Sequence, residues 1–413
     1  MKAASPHIEN RFQLLEQQLH IKEDELNSLL QITQAINSNI SSHGLLKLYE
    51  DILIKQIGVN RIAVFVEIDE WICTNALGIT IEEATAFAKN TLSMFKQLTN
   101  LEQIRHPLAA QFKVVVPVYH KNCPLAFTFL SDVDSTKDFT LDEKLNFIQT
   151  VSNIIAVAIE NKRLFRAQVN QKLMKSELQM AGQMQTMLIP DKLPDDERMS
   201  FSGYYSPHQE VGGDFYDYIE LNDHESIFCI GDISGKGVAA ALLMANFQAS
   251  VRSYSDQQPS LNTLLEHLNS RVNEITRGEK YITLFLAKFN FTTRQFEYVN
   301  AGHNPAILLY DGEMKFLDQG CTILGMFEKL PYVNVQSMKL EKEFIAFCYT
   351  DGLTDIENDK NQSLKIEDII SILKDNHKLA PNEITNQIVA FLNAFKGNRL
   401  TNDDISMLTC KIY

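Results

Sequence analysis

The chain has 413 residues, 45% of them hydrophobic and 22% charged, so it can form two or three domains that each bury a core. Its net charge of −14 argues against nucleic acid or an anionic membrane as the main partner. The N-terminal stretch MKAASPHIENRFQ lacks the apolar core of a signal peptide, and no apolar run is long enough to cross a bilayer, so we expect a cytoplasmic protein. Six scattered cysteines without a CxxC pair predict buried free thiols.

Residues 1–40 are predicted to form an N-terminal helix, which can also act as a short coiled coil. The stretch 10–40 contains neither Gly nor Pro. Apolar residues recur there at near-helical spacing: Phe12, Leu15, Leu19, Leu26, Leu29 and Ile36. A helix of this kind favours a parallel homodimer.

Residues 41–160 follow the order helix, hairpin, helix, hairpin, helix, which predicts a compact α+β domain. In the order and length of its elements, this region resembles a GAF sensory domain. No motif names a ligand. Two roles therefore stay open, binding of a small-molecule or protein signal and holding a dimer together.

Residues 161–195 continue the last helix of that region, with Gly182 as the one interruption before Pro190. A helix that runs through a domain boundary is a rigid rod rather than a flexible linker. It is either a plain connecting coiled coil or a transmission helix that reports the state of the sensor.

Residues 196–413 are rich in strands, with helices inserted in pairs, for example at 237–255 and 260–276. This pattern predicts an α/β sandwich with mainly antiparallel sheets.

Four aspartates of this region share one local setting: Asp214 in VGGDFYD, Asp232 in CIGDISGKG, Asp351 in CYTDGLTD and Asp403 in NDDIS. Each lies at or beside the end of an apolar strand-like run, so we expect their side chains to meet at one rim of a sheet. Carboxylates gathered in this way repel one another unless cations neutralise them. Hard oxygen ligands of this kind suit Mg²⁺ or Mn²⁺, and two such ions can activate a water for attack on phosphorus.

Any single aspartate has a simpler interpretation, since Asp-Gly is an ordinary turn signal. We predict a hairpin turn at Asp311 in LYDGEM, and similar structural roles for Asp217, Asp318 and Asp355.

The aspartate motifs carry a family resemblance over about 198–413. The segments VGGDFYDY, GDISGKGVAAALLMA, TLF, NAGHNPAIL, YTDGLTD and NDDISMLTCKI resemble, in order, those of the stage II sporulation E and sigma-regulation phosphatases. These belong to the metal-dependent, type 2C serine/threonine phosphatases. The preceding ELQMAGQMQTMLIP resembles the regulatory helix of that family, which favours the transmission role. For the whole chain, the resemblance implies an α+β fold with a C-terminal αββα sandwich.

The resemblance also implies roles for individual residues. Asp232 matches the aspartate that bridges two metal ions, and the Ile233 carbonyl would help to hold one of them. Asp214 matches a ligand of one ion, and Asp351 and Asp403 match ligands of the other. Asp404 replaces Asp403 if the register shifts by one. These residues include the catalytic pair Asp214 and Asp232; no substrate-binding residue is predicted.

The implied activity is hydrolysis of a phosphoserine or phosphothreonine ester by a water activated between two Mn²⁺ or Mg²⁺ ions. The implied substrate is a phosphorylated regulatory protein of the STAS type, an antagonist of an anti-sigma factor. Animal-type members have a histidine two residues after the bridging aspartate, where this chain has Ser234, so no histidine acid is assigned. His303 in NAGHNP is a possible rim residue, and His208 is given no role.

Three other interpretations compete with a phosphatase. GGDF at 212–215 is similar to the signature of cyclic-dinucleotide cyclases, but Phe215 replaces their second acidic residue. GDISGKG lacks the spacing of a P-loop. A signalling scaffold with an inactive phosphatase domain is the remaining alternative, and four acidic ligand positions argue against it.

Overall fold

The chain divides into two compact units, Met1–Lys172 and Leu173–Tyr413, in a computed structural model that describes residues 6–413 except 68–70, 89–91, 104, 106, 121–122, 132–140 and 400. None of the helices in these described ranges is long and apolar enough to cross a membrane. All six cysteines are free; Cys123 is exposed and the other five are buried, so the expectation of buried thiols is wrong only at Cys123.

The first unit is a five-stranded antiparallel sheet with helices. Its strands lie in the order β2-β1-β5-β4-β3. Short 3₁₀ turns at Leu92–Met94 and Pro107–Ala110 and a π turn at Leu53–Ile57 complete it. Its elements are α1 Pro6–Asn37, α2 Ser42–Ile52, β1 Ile62–Glu67, β2 Trp71–Leu77, α3 Ile81–Ala88, β3 Thr99–Asn100, β4 Val114–His120, β5 Cys123–Leu130 and α4 Leu141–Thr186.

Each face of this sheet carries its own core, because successive side chains of a strand point to opposite faces. Val64 and Val116 pack with the helices, beside Tyr49. Phe65 and Val115 pack on the other face. The predicted α+β architecture of this region is therefore confirmed, whereas its likeness to a GAF domain stays a prediction.

Helix α4 is a single helix of 46 residues that continues past the boundary between the units. The predicted absence of a break at the boundary is confirmed. Its last turns, from Leu173 onward, belong to the second unit.

The second unit contains two packed sheets. One has the order β13-β10-β9-β8-β7 with β14 paired to β10, and the other β12-β11-β15-β16-β6. All of these strand pairs are antiparallel except β10 with β13. The elements are β6 Met199–Ser206, β7 Phe215–Asn222, β8 Glu225–Ile233, α5 Val238–Ser255, α6 Leu261–Thr276, β9 Ile282–Asn290, β10 Gln295–Ala301, β11 Ala306–Tyr310, β12 Glu313–Leu317, β13 Gly320–Cys321, β14 Gln336–Lys339, β15 Phe344–Tyr349, α7 Asp351–Thr354, α8 Ile366–Asp375, α9 Pro381–Lys396 and β16 Ile405–Ile412.

Strand alternation again explains the layers. In β8, Phe228 and Ile230 face the second sheet, whereas Ile227 and Cys229 face α5 and α6. In β16, side chains such as Met407 pack on the other side against α8 and α9. The result is the expected αββα sandwich, in which both sheets are buried on both faces.

Candidate active site

The four aspartates lie at one rim of the sandwich, two from each sheet. Asp214 immediately precedes β7, and Asp232 lies near the end of β8. Asp351 begins α7 directly after β15, and Asp403 precedes β16. Strand β7 starts at this rim and the antiparallel β8 ends there. In the other sheet, β15 ends at the rim and the antiparallel β16 starts there. Each sheet therefore brings two of the four positions to the rim.

Electrostatics places Asp232 at the centre of this group. Burial, followed by the negative charges of Asp351 and Asp403, raises the pKa of Asp232 to about 7. Burial, followed by the charge of Asp403, also raises the pKa of Asp351. The carboxylates are therefore close enough to oppose one another's ionisation.

Asp214 is the most buried member, with 2% of its surface exposed. Burial, followed by the charge of Asp232, raises its pKa well above the ordinary value. Its Oδ2 atom has no hydrogen-bond partner among the described residues. A buried carboxylate oxygen without a donor is costly, so this atom calls for a cation or a proton.

Two glycines allow the loops to close around these carboxylates. A Cβ atom on Gly213 would lie 2.9 Å from the Ile233 carbonyl oxygen and 3.6 Å from Asp232 Oδ1. A Cβ atom on Gly352 would lie 1.9 Å from the Asp404 carbonyl oxygen, which no side chain can tolerate. Glycine is therefore required where the motif has it.

Asp403 and Asp404 have different partners. Asp403 forms an ion pair with Lys236 Nζ at 2.8 Å. It faces the rim, and about one-third of its side chain is exposed. Asp404 is buried and accepts the backbone N–H groups of His208 and Gly213, both at 2.7 Å. Asp404 thus holds the loop that carries Asp214, whereas Asp403 remains the rim carboxylate.

The end of α4 contacts the same loop. Gln185 is buried and donates from Nε2 to the Gly212 carbonyl oxygen at 2.6 Å, and its Oε1 accepts the Gly212 N–H at 3.0 Å. A Cβ atom on Gly182 would lie 1.9 Å from the Glu210 carbonyl oxygen, so helix and loop touch backbone to backbone. Lys175 Nζ lies 3.7 Å from the carboxylate of Glu210. This contact connects α4 to the residues next to Asp214.

The remaining sequence candidates have structural roles. Asp217 is fully buried in β7 rather than in a turn, and its carboxylate binds Arg252 with two contacts of 2.6 and 2.7 Å. Asp311 lies in the β11–β12 turn, as predicted. His303 is buried and shares a hydrogen bond with Thr283 Oγ1 at 2.8 Å, and burial lowers its pKa to about 4. His303 is therefore a buried, neutral residue whose partner Thr283 pairs with Asp232 in the sheet, and its assignment as a rim residue stays a prediction.

Sequence reasoning missed two partners of the site, Lys236 and Gln185, and did not separate the roles of Asp403 and Asp404. Lys236 lies between two glycines in a stretch that resembles a turn. The sequence alone does not show which of Asp403 and Asp404 faces the rim. Gln185 gave no signal, since α4 contains many glutamines and only the fold shows which one is buried.

The donor set fits divalent cations. It consists of carboxylates and a carbonyl oxygen, the ligands that Mg²⁺ and Mn²⁺ prefer. Over the part of the chain that the structure describes, no group of three or more His, Cys, Asp or Glu side chains is arranged so that it could hold a metal ion. Mg²⁺ sites usually combine one or two carboxylates with water, so an open group of carboxylates agrees with this chemistry.

One family model matches part of the second unit. Residues 222–413 match the family described as Stage II sporulation protein E (SpoIIE). The match includes Asp232, Asp351 and Asp403 but begins after Asp214.

Two curated relatives are phosphoserine phosphatases, and one solved structure has a similar fold. Phosphoserine phosphatase RsbU of Bacillus subtilis is 26% identical over 58% of this chain and 71% of its own length. Phosphoserine phosphatase RsbP of the same organism is 27% identical over 44% of this chain and 46% of its own length, so the match spans less than half of that relative. The SiaA-PP2C domain of Pseudomonas aeruginosa has a TM-score of 0.53 at 20% identity, over 59% of this chain and 99% of that domain.

Proposed function

We propose that this chain, whose C-terminal unit is a SpoIIE-type serine/threonine phosphatase domain of the PP2C class, dephosphorylates a phosphoserine or phosphothreonine on a regulatory partner protein. The observation that carries the proposal is the rim where Asp214, Asp232, Asp351 and Asp403 oppose one another's ionisation. Such a group is stable when cations neutralise it.

Two Mn²⁺ or Mg²⁺ ions would be held by the four aspartates and the Ile233 carbonyl oxygen. When bound, ions of this kind lower the pKa of water and aim it at phosphorus. Asp232 would be the ligand that the two ions share, and Asp214 would offer them its Oδ2 atom, which lacks a hydrogen-bond donor among the described residues. Asp404 keeps the Asp214 loop in place through two backbone hydrogen bonds.

No side chain in this arrangement serves as a general acid. Ser234 occupies the position of the histidine in animal-type members, and its Oγ accepts the Tyr281 N–H at 3.0 Å. His303 is buried and uncharged near neutral pH. A water held at the metal site would therefore have to supply the proton for the leaving serine or threonine oxygen.

The partner we propose is a phosphorylated STAS-type antagonist of an anti-sigma factor, in the cytoplasm. The first unit would act as a GAF-like sensor or dimerisation domain, with α1 forming a coiled coil in a homodimer. Phe12, Leu15 and Leu19 on α1 are each more than half exposed, which leaves an apolar stripe for a second helix.

We also propose that α4 transmits the state of the first unit. This proposal is supported by the two hydrogen bonds between Gln185 and Gly212. Gly212 lies two residues before Asp214. A shift of α4 would move the loop that carries this ligand and so change metal binding.

The activity is tested with p-nitrophenyl phosphate and Mn²⁺. Asp232→Asn should abolish Mn²⁺-dependent turnover while the circular dichroism spectrum is retained, because the amide removes the central negative charge. Asp223→Asn is the matched control and should retain activity, because Asp223 is an exposed aspartate in the β7–β8 turn, at the opposite end of these strands from Asp214 and Asp232. Wild-type turnover in Asp232→Asn would contradict the assigned site. An inactive wild-type chain would favour the scaffold interpretation, and GTP turnover a cyclase.

A further inference from the structure

A pocket of about 440 Å³ lies in the sheet that carries Asp351 and Asp403, at the end away from these aspartates. Along the β15–β16 pair, Tyr349 opposite Met407 marks the end near the aspartates, and Phe344 opposite Ile412 marks the end near the pocket. The two ends are about 17 Å apart at the usual rise per strand residue. The pocket is therefore separate from the candidate active site.

The ionisable lining of this pocket is mainly basic. Lys342, Lys374, Lys411 and His377 line it, against Asp311 and Glu343. The three lysines exceed the two carboxylates by one charge in a chain whose net charge is −14. Lys342 pairs with Asp311 at 2.6 Å, but both side chains are more than half exposed, so this pair contributes little.

Lys411 is the unusual member, because only 4% of it is exposed. Its Nζ donates to the carbonyl oxygens of His377 at 2.9 Å and Leu379 at 3.3 Å, and it lies 5.5 Å from the centre of the Tyr413 ring. Within the described ranges no carboxylate forms an ion pair with it. An ammonium group has three N–H donors, so one remains for an occupant of the pocket.

The geometry of the neighbouring groups suits an anion with an organic part. His377 Nδ1 donates to the Lys374 carbonyl oxygen at 2.7 Å, which fixes the ring beside the pocket. Leu309, Phe344 and Ile345 add an apolar wall. A buried ammonium without a counter-charge is costly, and an incoming anion would lower that cost.

We propose that this pocket binds a small organic phosphate. Its volume lies within the range of small-molecule sites, and lysine ammonium groups are common phosphate ligands. The phosphate would contact Lys374 and the free donor of Lys411, while the organic group covers the apolar wall. Neither the phosphatase family nor the rim of aspartates predicts this site.

The experiment is calorimetric titration of the full chain with phenylphosphonate, which a phosphatase cannot hydrolyse. Divalent ions are removed first, so that the aspartate rim disfavours anions. We expect saturable binding that Lys374→Gln weakens about tenfold, since one charge-assisted contact is lost. Inorganic phosphate should bind more weakly because it leaves the apolar wall uncovered, and neutral phenol should not bind.

Lys378→Gln is the matched control, an exposed lysine on the same segment that does not line the pocket. It should bind as the wild type does. Lys411→Met should abolish binding; if it fails to fold, Lys374→Gln still decides the matter. Absence of binding by the wild type at millimolar phenylphosphonate would overturn the proposal, as would equal binding by Lys374→Gln and Lys378→Gln.

Discussion

Replacement of Gln185 by alanine tests whether α4 controls the metal ligands. The change removes both hydrogen bonds to Gly212, at 2.6 and 3.0 Å, in a buried setting. Each backbone group left without a partner costs about 1–3 kcal/mol. With partial relaxation of the loop, we expect the contact between α4 and the loop to weaken by about 2–4 kcal/mol.

The loop concerned ends at Asp214, so the loss should appear in metal binding. An energy of about 2–4 kcal/mol corresponds to about 30- to 1000-fold in an equilibrium constant. The assay is p-nitrophenyl phosphate hydrolysis as a function of Mn²⁺ concentration. We expect the half-saturating concentration for Gln185→Ala to rise by at least about tenfold, while turnover at saturating Mn²⁺ recovers.

Gln183→Ala is the matched control, because Gln183 lies on the exposed face of the same helix. It should behave as the wild type does. If Gln185→Ala and Gln183→Ala gave the same Mn²⁺ dependence, the loop would be held by Asp404 alone and the coupling role of α4 would be wrong.

Three further predictions follow from the site. Gly182→Ala should destabilise the folded protein in thermal melts, although Gly→Ala inside a helix usually stabilises, because its Cβ would meet the Glu210 carbonyl oxygen; a higher melting temperature would refute the backbone contact. Asp404→Ala should lower the free energy of urea unfolding by about 1–3 kcal/mol, since the buried N–H of Gly213 loses its acceptor along with the N–H of the exposed His208, and unchanged stability would refute its role in holding the loop. The metal-free protein should lose stability as pH rises from about 4 to about 7, because the folded state raises the pKa of Asp232 to about 7 and so binds more protons than the unfolded chain; stability that rises over this range would refute the carboxylate cluster.

The sequence alone was sufficient to predict the αββα sandwich and the group of aspartates at its rim, because both follow from local patterns. Strand alternation and the positions of Asp232 and Asp351 at strand ends determined where the side chains would lie. Contacts between distant segments were not accessible in this way. Gln185 is buried only because α4 packs on the 207–213 loop, and Asp217 forms an ion pair only because α5 brings Arg252 to β7.

Asp403 and Asp404 illustrate the limit most clearly. Both residues are aspartates, so a shift of one residue in the alignment of the motif exchanges their assigned roles. Asp403 lies in the bend before β16 and pairs with Lys236 at the rim, whereas the next residue, Asp404, faces the Asp214 loop. The hydrogen bonds to His208 and Gly213 assign Asp404 to the loop, which the motif alone could not do.

Helix α4 also has a mechanical consequence. Gln185 lies 13 positions after Lys172, the last residue of the first unit, which is about 20 Å along the unbroken helix α4. A lever of that length converts a tilt of about 5° at the boundary into a displacement of about 2 Å at its tip. Hydrogen bonds tolerate changes of only a few tenths of an ångström, so under the proposed transmission role a tilt of this size would be sufficient to release Gly212.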